Sequence, residues 1–174
     1  MTKVHADRGR FFEDFVVGDV YQNPIGRTIS ETDNTWLTLL TMNTNQLHFN
    51  ADFAAATEFG RPLVNSGVTV AIVLGLTVAD LSQNAIANLG WDEIRLLHPV
   101  FAGDTLYAES RILGLRESRS RPHAGIVTAR SRGLNERGEV CISWIRSVMV
   151  LKRDTPQARR SFPRAVSPIE REDP

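Results

Sequence analysis

The 174-residue chain lacks most features that would assign it to a specialised class of protein. Its only cysteine is Cys141, so no intrachain disulfide can form and a reducing compartment is expected. Twenty basic side chains balance twenty acidic ones, which gives no electrostatic reason to expect nucleic acid or an acidic membrane as a partner. Walker, dinucleotide-binding, HExxH and Cys/His metal patterns are absent, so we expect neither a metal nor a redox cofactor.

Long hydrophobic runs are also missing. The longest, at residues 68–79, is interrupted by threonine and glycine and is shorter than the ~20 residues that cross a bilayer. The N-terminal residues have no apolar core of the kind found in signal peptides. We therefore expect a soluble, cytoplasmic protein.

The order of the periodic segments predicts an α+β protein. A strand at residues 20–29 precedes a helix that Ser30 can cap and a second helix at residues 51–59. The apolar run at residues 66–81 is longer than a usual strand of roughly 4–8 residues, so we predict a buried central helix that Ser66 can cap. Four strands follow, at residues 85–97, 105–115, 125–134 and 139–152.

Only the predicted strands can cover the buried helix. The expected architecture is a single hot-dog fold, a curved antiparallel sheet of about five strands wrapped around that helix. This domain should span residues 11–152, after a flexible N-terminus at residues 1–10. Residues 153–174 hold four of the eight prolines and no apolar periodicity, so we expect an extended or disordered tail.

Several segments resemble the MaoC-like (R)-specific enoyl-CoA hydratases. NTNQLHFNADFAAATEFGRPLVNSGVTV, at residues 43–70, is similar to that family's D-x-N-P-x-H pattern, alanine-rich helix and G-R-P-I-x-H-G turn, and PVFAGDTL follows at residues 99–106. GRTISETDN and NLGWDEIR are similar to the branch that hydrates mesaconyl-CoA and itaconyl-CoA, which are branched dicarboxylic thioesters. The resemblance implies a hydro-lyase that adds water reversibly and syn to an enoyl-CoA. It also implies at least a homodimer and no cofactor beyond the coenzyme A of the substrate.

The resemblance assigns the central role to His48, because an imidazole can accept and donate a proton near neutral pH. Asn43 stands where the family's usual pattern has an aspartate, and an amide can orient water but cannot accept a proton. Three interpretations follow. His48 is the only base while Asn43 positions the water, another carboxylate replaces the missing one, or the site binds acyl-CoA without turnover. The candidate carboxylates are Asp33, Asp92 and Glu93.

The start of the predicted central helix matches the part of the motif that holds the thioester oxygen. Backbone N–H groups of Ser66 and Gly67 would stabilise an enolate there, a role compatible with helix capping. Asn65 replaces a family histidine and is expected to line the pocket. Asn45 either braces the loop or forms an ordinary turn.

A second carboxylate on the substrate would need a cation, and a guanidinium binds a carboxylate bidentately. The run at residues 116–121 could equally contact the CoA phosphates or be a solvated loop. The candidate arginines are Arg61, Arg95, Arg116, Arg119 and Arg121.

Two alternative functions share the predicted fold and ligand. A hot-dog thioesterase would need a carboxylate that directs water onto the thioester carbonyl, and Glu58 is the candidate. A non-catalytic acyl-CoA binding protein would account for Asn43 in place of the family aspartate.

Overall fold

The computed structural model describes residues 9–158. Two short strands and a helix come first, followed by two helices and four long strands. The elements are β1 (Val20–Gln22), β2 (Arg27–Thr28), α1 (Glu31–Leu40), α2 (Ala51–Ala55), α3 (Ser66–Leu76), β3 (Ala85–Leu96), β4 (Thr105–Glu117), β5 (Ala124–Leu134) and β6 (Val140–Leu151). The order of secondary structure confirms the predicted α+β class.

The strands form one antiparallel sheet in the order β1–β4–β5–β6–β3, with β2 paired to the end of β4. The predicted single strand at residues 20–29 is instead two strands. Five positions separate Gln22 from Arg27, but only three separate their partners Glu109 and Leu106, so the intervening residues leave the ladder. Pro24 lies in this bulge. Proline has no backbone N–H, and at a position outside the ladder no hydrogen bond is lost.

Helix α3 packs against one face of the sheet. Val68 and Val73 of the helix share one buried cluster with Leu106, Ile142 and Trp144 of the strands. Burial alternates along β4 as in a strand with one covered face, because its even-numbered residues from 106 to 112 are buried while Tyr107 and Arg111 are exposed. The sheet therefore covers the central helix on one side, as expected.

Helix boundaries differ from the prediction in three places. Asn65, not Ser66, is the N-cap of α3, since its side-chain oxygen accepts from Gly67 N at 2.8 Å. Helix α2 ends at Ala55 instead of residue 59. Helix α3 ends at Leu76, and a separate π-helical turn, Val78–Ser82, completes the predicted run.

Strand β3 lies at the end of the strand order and pairs only with β6 among the described residues. Its register shifts between Asn88 and Gly90. Several large apolar side chains along and just beyond this strand are exposed: Ile86, Leu89, Trp91, Ile94, Leu96 and Leu97. An unpaired edge of this kind is a site for pairing with another chain.

The predicted terminal segments are only partly described. Arg10 bonds the carboxylate of Asp80 at 2.9 Å, and residues 1–8 lie outside the described residues. Residues 153–158 form turns in which Ala158 packs against Phe11 and Leu151. Residues 159–174 lie outside the described residues too, so the prediction of an extended or disordered tail stays a prediction. Within residues 9–158, no helix is long and apolar enough to cross a membrane.

Candidate active site

His48 closes a short 3-10 turn, Gln46–His48, that two asparagines brace from within the loop. Asn45 caps the turn by accepting from Leu47 N at 3.1 Å, and Asn43 accepts from Asn45 N at 3.0 Å. These consecutive turns use the side-chain oxygens of both asparagines. The contact of Asn45 is the same for a residue that braces the loop and for an ordinary turn, the two alternatives given for it.

The ring of His48 is held by one backbone carbonyl. Its Nδ1 lies 2.9 Å from Leu63 O, and Leu63 N donates to Leu47 O at 3.1 Å. A carbonyl oxygen can only accept, so Nδ1 must carry the hydrogen in this bond. In the neutral imidazole, Nε2 then has a free lone pair and can act as a base.

A buried asparagine of α1 ties the His48 loop to the start of α3. Asn34 donates from Nδ2 to His48 O at 2.7 Å and to Leu63 O at 3.1 Å, and its Oδ1 accepts from Asn65 N at 2.8 Å. Asn65 in turn donates to Thr38 Oγ1 at 3.2 Å. Sequence reasoning missed Asn34, because the sequence offers no sign that its side chain reaches two later segments.

The helix N-terminus offers one backbone donor where two were expected. Gly67 N donates to the cap oxygen of Asn65, so this N–H is already occupied. Ser66 is the first helical residue, and its N–H has no acceptor within the helix. Ser66 is therefore the better candidate for contact with an oxyanion.

His48 lies between two cavities and lines both. The first has a volume of about 260 Å³ and a polar lining that includes Glu31, Asn34 and Arg61. The second, of about 330 Å³, is lined mainly by apolar side chains together with Ser66 and Thr69. His48 and the start of α3 therefore line the same cavity.

Two titratable side chains that sequence reasoning did not select share these cavities with His48. Glu31 lines the polar cavity, and His98 lines the apolar cavity with its Nε2 3.5 Å from Glu139 Oε2. Val64 N bonds Val100 O at 2.9 Å, which brings the turn that contains His98 next to the start of α3. This pairing is a tertiary contact with no local sequence signal.

The three candidate replacement carboxylates lie elsewhere. Hydrogen bonds from Ser30, and then the Arg27 guanidinium, lower the pKa of Asp33, whose carboxylate is fully engaged at the start of α1. Glu93 pairs with Arg130 at 2.8 Å, and Asp92 is exposed on β3. In the part of the chain that the structure describes, none of the three lines either cavity beside His48.

The five candidate arginines are widely separated. Arg61 lines the polar cavity, with its guanidinium carbon 3.9 Å from the centroid of the Phe101 ring. Arg95 lies on β3 and bonds Ile94 O at 3.2 Å. Arg116 is eleven residues along β4 from Thr105, or roughly 36 Å at the usual rise per residue, and Arg119 and Arg121 lie beyond it. Of the five, only Arg61 shares a described cavity with His48.

Further candidates from the sequence line neither cavity. Asn65, which is expected from the sequence to line the pocket, is 7% exposed and lies outside both linings, as do Asn43, Asn45 and Gly67. Glu58, suggested for a thioesterase, is exposed and lines neither cavity. Cys141 is fully buried, and burial raises the pKa of its thiol, as expected for a structural cysteine. Residues 9–158 contain no group of three or more His, Cys, Asp or Glu side chains able to hold a metal ion.

Comparison with known proteins identifies the chain's relatives. A family model described as mesaconyl-CoA hydratase matches residues 2–161. The chain is 42% identical over 150 residues to the mesaconyl-CoA hydratase of Cereibacter sphaeroides, an alignment that covers 86% of this chain and 43% of that protein. Its fold matches the solved structure of a MaoC domain protein dehydratase from Chloroflexus aurantiacus J-10-fl, with a TM-score of 0.82 and 36% identity over 96% of this chain and 46% of that one.

A conserved protein from Mycobacterium tuberculosis, whose structure has a double hotdog fold, matches with a TM-score of 0.76 and 25% identity. That alignment covers 91% of this chain and 47% of the other. The predicted hot-dog fold is thereby confirmed, and the chain spans less than half the length of these three relatives. Since the family model extends over most of its length, the chain belongs to the mesaconyl-CoA hydratase family.

Proposed function

We propose that this protein catalyses the reversible hydration of an enoyl-CoA thioester, with a dicarboxylic acyl group such as mesaconyl or itaconyl as the preferred substrate. Membership of the mesaconyl-CoA hydratase family supports the reaction and the substrate class. The observation that carries the proposal is the bond between His48 Nδ1 and Leu63 O, because it leaves Nε2 free as a base. That ring lines the same cavity as Ser66 at the start of α3.

The proposed reaction uses one base and one backbone donor. His48 Nε2 takes a proton from water while the water oxygen bonds to the β-carbon, and the π electrons move to the thioester oxygen. Ser66 N–H stabilises this enolate, an effect worth about 3–4 kcal/mol for one such donor. The imidazolium then returns the proton to the α-carbon on the same face, so that the addition is syn and no proton is lost.

We assign the single-base interpretation to this site. Asp33, Asp92 and Glu93 are engaged or exposed away from the His48 cavities, which leaves no support for a replacement among them. The predicted positioning of water by Asn43 is not part of this proposal, because its Oδ1 is bonded to Asn45 N and the residue lines neither cavity. Asn43 contributes instead through the loop that presents His48. In this scheme the coenzyme A of the substrate is the only cofactor required.

We propose Arg61 as the partner of the substrate's second carboxylate. Its guanidinium is stacked on Phe101, which leaves the N–H edge available for a bidentate contact. No carboxylate among the described residues forms an ion pair with Arg61, although Glu31 lines the same cavity. A cation that has no carboxylate partner among the described residues and shares a cavity with the base suits a dicarboxylic substrate.

We further propose a homodimer that pairs through the β3 edge. The relatives are about twice as long, and one of them has a double hotdog fold. A second copy of this chain would take the place of their second unit and cover the exposed apolar residues of β3. The buried free thiol of Cys141 suits a reducing compartment such as the cytoplasm.

The test is the absorbance of the enoyl thioester in the presence of purified protein, with crotonyl-, mesaconyl- and itaconyl-CoA in parallel. Loss of absorbance with a dicarboxylic substrate alone supports both the reaction and the substrate class. Loss with crotonyl-CoA alone supports the reaction and overturns the substrate class. Release of free thiol would favour a thioesterase, and binding of CoA esters without either change would favour a non-catalytic protein.

A further inference from the structure

Asn34 contacts three separate segments of the chain through one side chain. It donates to His48 O and Leu63 O and accepts from Asn65 N, over distances between 2.7 and 3.1 Å. The residue is only 4% exposed. Both kinds of hydrogen-bonding group in the amide are thus used, and all three contacts go to backbone atoms around the proposed site.

The segments that Asn34 joins carry the two working parts of the proposed reaction. In that reaction His48 supplies the base, and Asn65 immediately precedes Ser66, whose N–H is the proposed donor to the thioester oxygen. Leu63 O accepts from both Asn34 Nδ2 and His48 Nδ1, so Asn34 also holds the carbonyl that fixes the tautomer of the imidazole. A shift of either segment would change the distance between base and oxyanion donor.

We propose that Asn34 is the positioning residue that fixes His48 relative to the N-terminus of α3. This role rests on the proposed hydration. An aspartate has the same shape but no N–H, and would set a carboxylate against the carbonyl oxygens of His48 and Leu63. An aliphatic residue would leave His48 O without the Asn34 donor and Leu63 O with His48 Nδ1 as its remaining side-chain donor.

The experiment compares Asn34→Asp with the wild type for kcat, KM, thermal midpoint and the ¹⁵N NMR signals of the His48 ring. We expect kcat to fall about 100-fold, the order of loss associated with an approximately 1 Å misplacement of reacting groups, while KM changes little. The ring signals should lose the pattern of a single Nδ1–H tautomer. Unchanged ring signals together with an unchanged kcat would overturn the proposal.

Ser110→Ala is the matched control. Ser110 is 2% exposed and shares a 2.7 Å hydrogen bond with Ser131 in the sheet, away from the His48 cavities. It should lower the thermal midpoint and leave kcat and the His48 signals unchanged. If Asn34→Asp lowers kcat no more than this control does, Asn34 serves stability alone and the proposal is wrong.

A second variant, Asn34→Ala, avoids a buried charge if the aspartate variant does not fold. Asn34 lines the polar cavity, so a small amide such as formamide can reach the vacated position. Formamide should restore part of kcat in this variant and none in Ser110→Ala, and absence of rescue would count against the proposal. If the wild type hydrates no enoyl-CoA, the proposed function fails, whereas the ring signals still test whether Asn34 positions His48.

Discussion

The role proposed for His48 depends on its backbone partner as well as on its own ring. The contact to Leu63 O assigns the hydrogen to Nδ1, and His48 lines both cavities. A histidine without this contact could adopt either tautomer, and only one of them leaves Nε2 as a base. The position of Leu63 in the chain is therefore part of the proposed chemistry.

His48→Ala should lower kcat by about 10²–10⁴-fold, the usual contribution of a general acid–base residue. The fold should persist, because the ring is only partly buried and makes a single hydrogen bond. The measurement is the rate of enoyl-CoA absorbance loss at saturating substrate. His123→Ala, at an exposed position before β5, is the control and should keep the wild-type rate. Equal rates for the two variants would remove His48 from the mechanism.

Arg61→Met should lower kcat/KM for mesaconyl-CoA by about 10–100-fold, the equivalent of one lost charged hydrogen-bonding contact of about 1.5–3 kcal/mol. Crotonyl-CoA lacks the second carboxylate, so its kcat/KM should stay nearly constant. Arg116→Met, at the far end of β4, is the matched control. An equal loss with both substrates would show that Arg61 contacts the CoA moiety or the fold instead of the acyl carboxylate.

Among the helices, α1 has the most complete N-terminal cap. Ser30 Oγ accepts from Asp33 N, and Asp33 accepts from Ser30 N at 2.8 Å and from the Arg27 guanidinium. The same helix holds Asn34, so the cap also fixes where that side chain enters the site. Stability of α1 and geometry of the site are thus linked through adjacent residues.

Asp33→Ala should destabilise the fold by about 1 kcal/mol at neutral pH, as expected for the loss of a capping side chain. Since the folded state lowers the pKa of Asp33, its stabilising effect is present above the unfolded pKa of about 4 and is lost as pH falls through the folded value. Urea denaturation at several pH values should therefore show a gap between variant and wild type that narrows on acidification. Asp52→Ala, in the first turn of α2, is the control, and a constant gap would contradict the role given to Asp33.

Sequence patterns were sufficient wherever the signal was local. The Ser30 cap, the alternation along β4 and the loop that presents His48 each depend on neighbouring residues, and the structure has all three. The cap of α3 was misassigned because Asn65 and Ser66 are both good capping residues, and only the backbone conformation selects Asn65.

Longer-range features of the site had no such signal. The packing of α1, the turn before β4 and the start of α3 places three side chains near His48. Asn34 bonds its backbone carbonyl, whereas Glu31 and His98 each line a cavity with it. Arg116, Arg119 and Arg121 looked like site residues because of their charge, but the length of β4 carries them to the opposite end of the sheet. In these cases the sequence shows the chemical type of each side chain, but its place in the fold depends on contacts between distant segments.

At the scale of the whole molecule, the exposed edge of β3 sets the expected assembly. Leu96 and Leu97, at and just beyond the end of this strand, are each 58% exposed and also line the apolar cavity beside His48. A second copy paired along β3 would cover them and close that cavity. The proposed hydration activity should therefore depend on dimer formation. A monomer would leave this part of the proposed substrate site open to water.

Trp91→Lys should convert the proposed dimer into a monomer, because a charge on the β3 edge opposes strand pairing. Light scattering coupled to gel filtration measures the mass directly, and the hydration rate should fall together with the dimer fraction. Tyr107→Lys is the matched control, since Tyr107 is 37% exposed and Trp91 38%, but Tyr107 lies on β4 away from the free edge. A wild-type monomer with full activity would contradict both the interface and its link to the cavity, whereas an active Trp91→Lys monomer would contradict only the link.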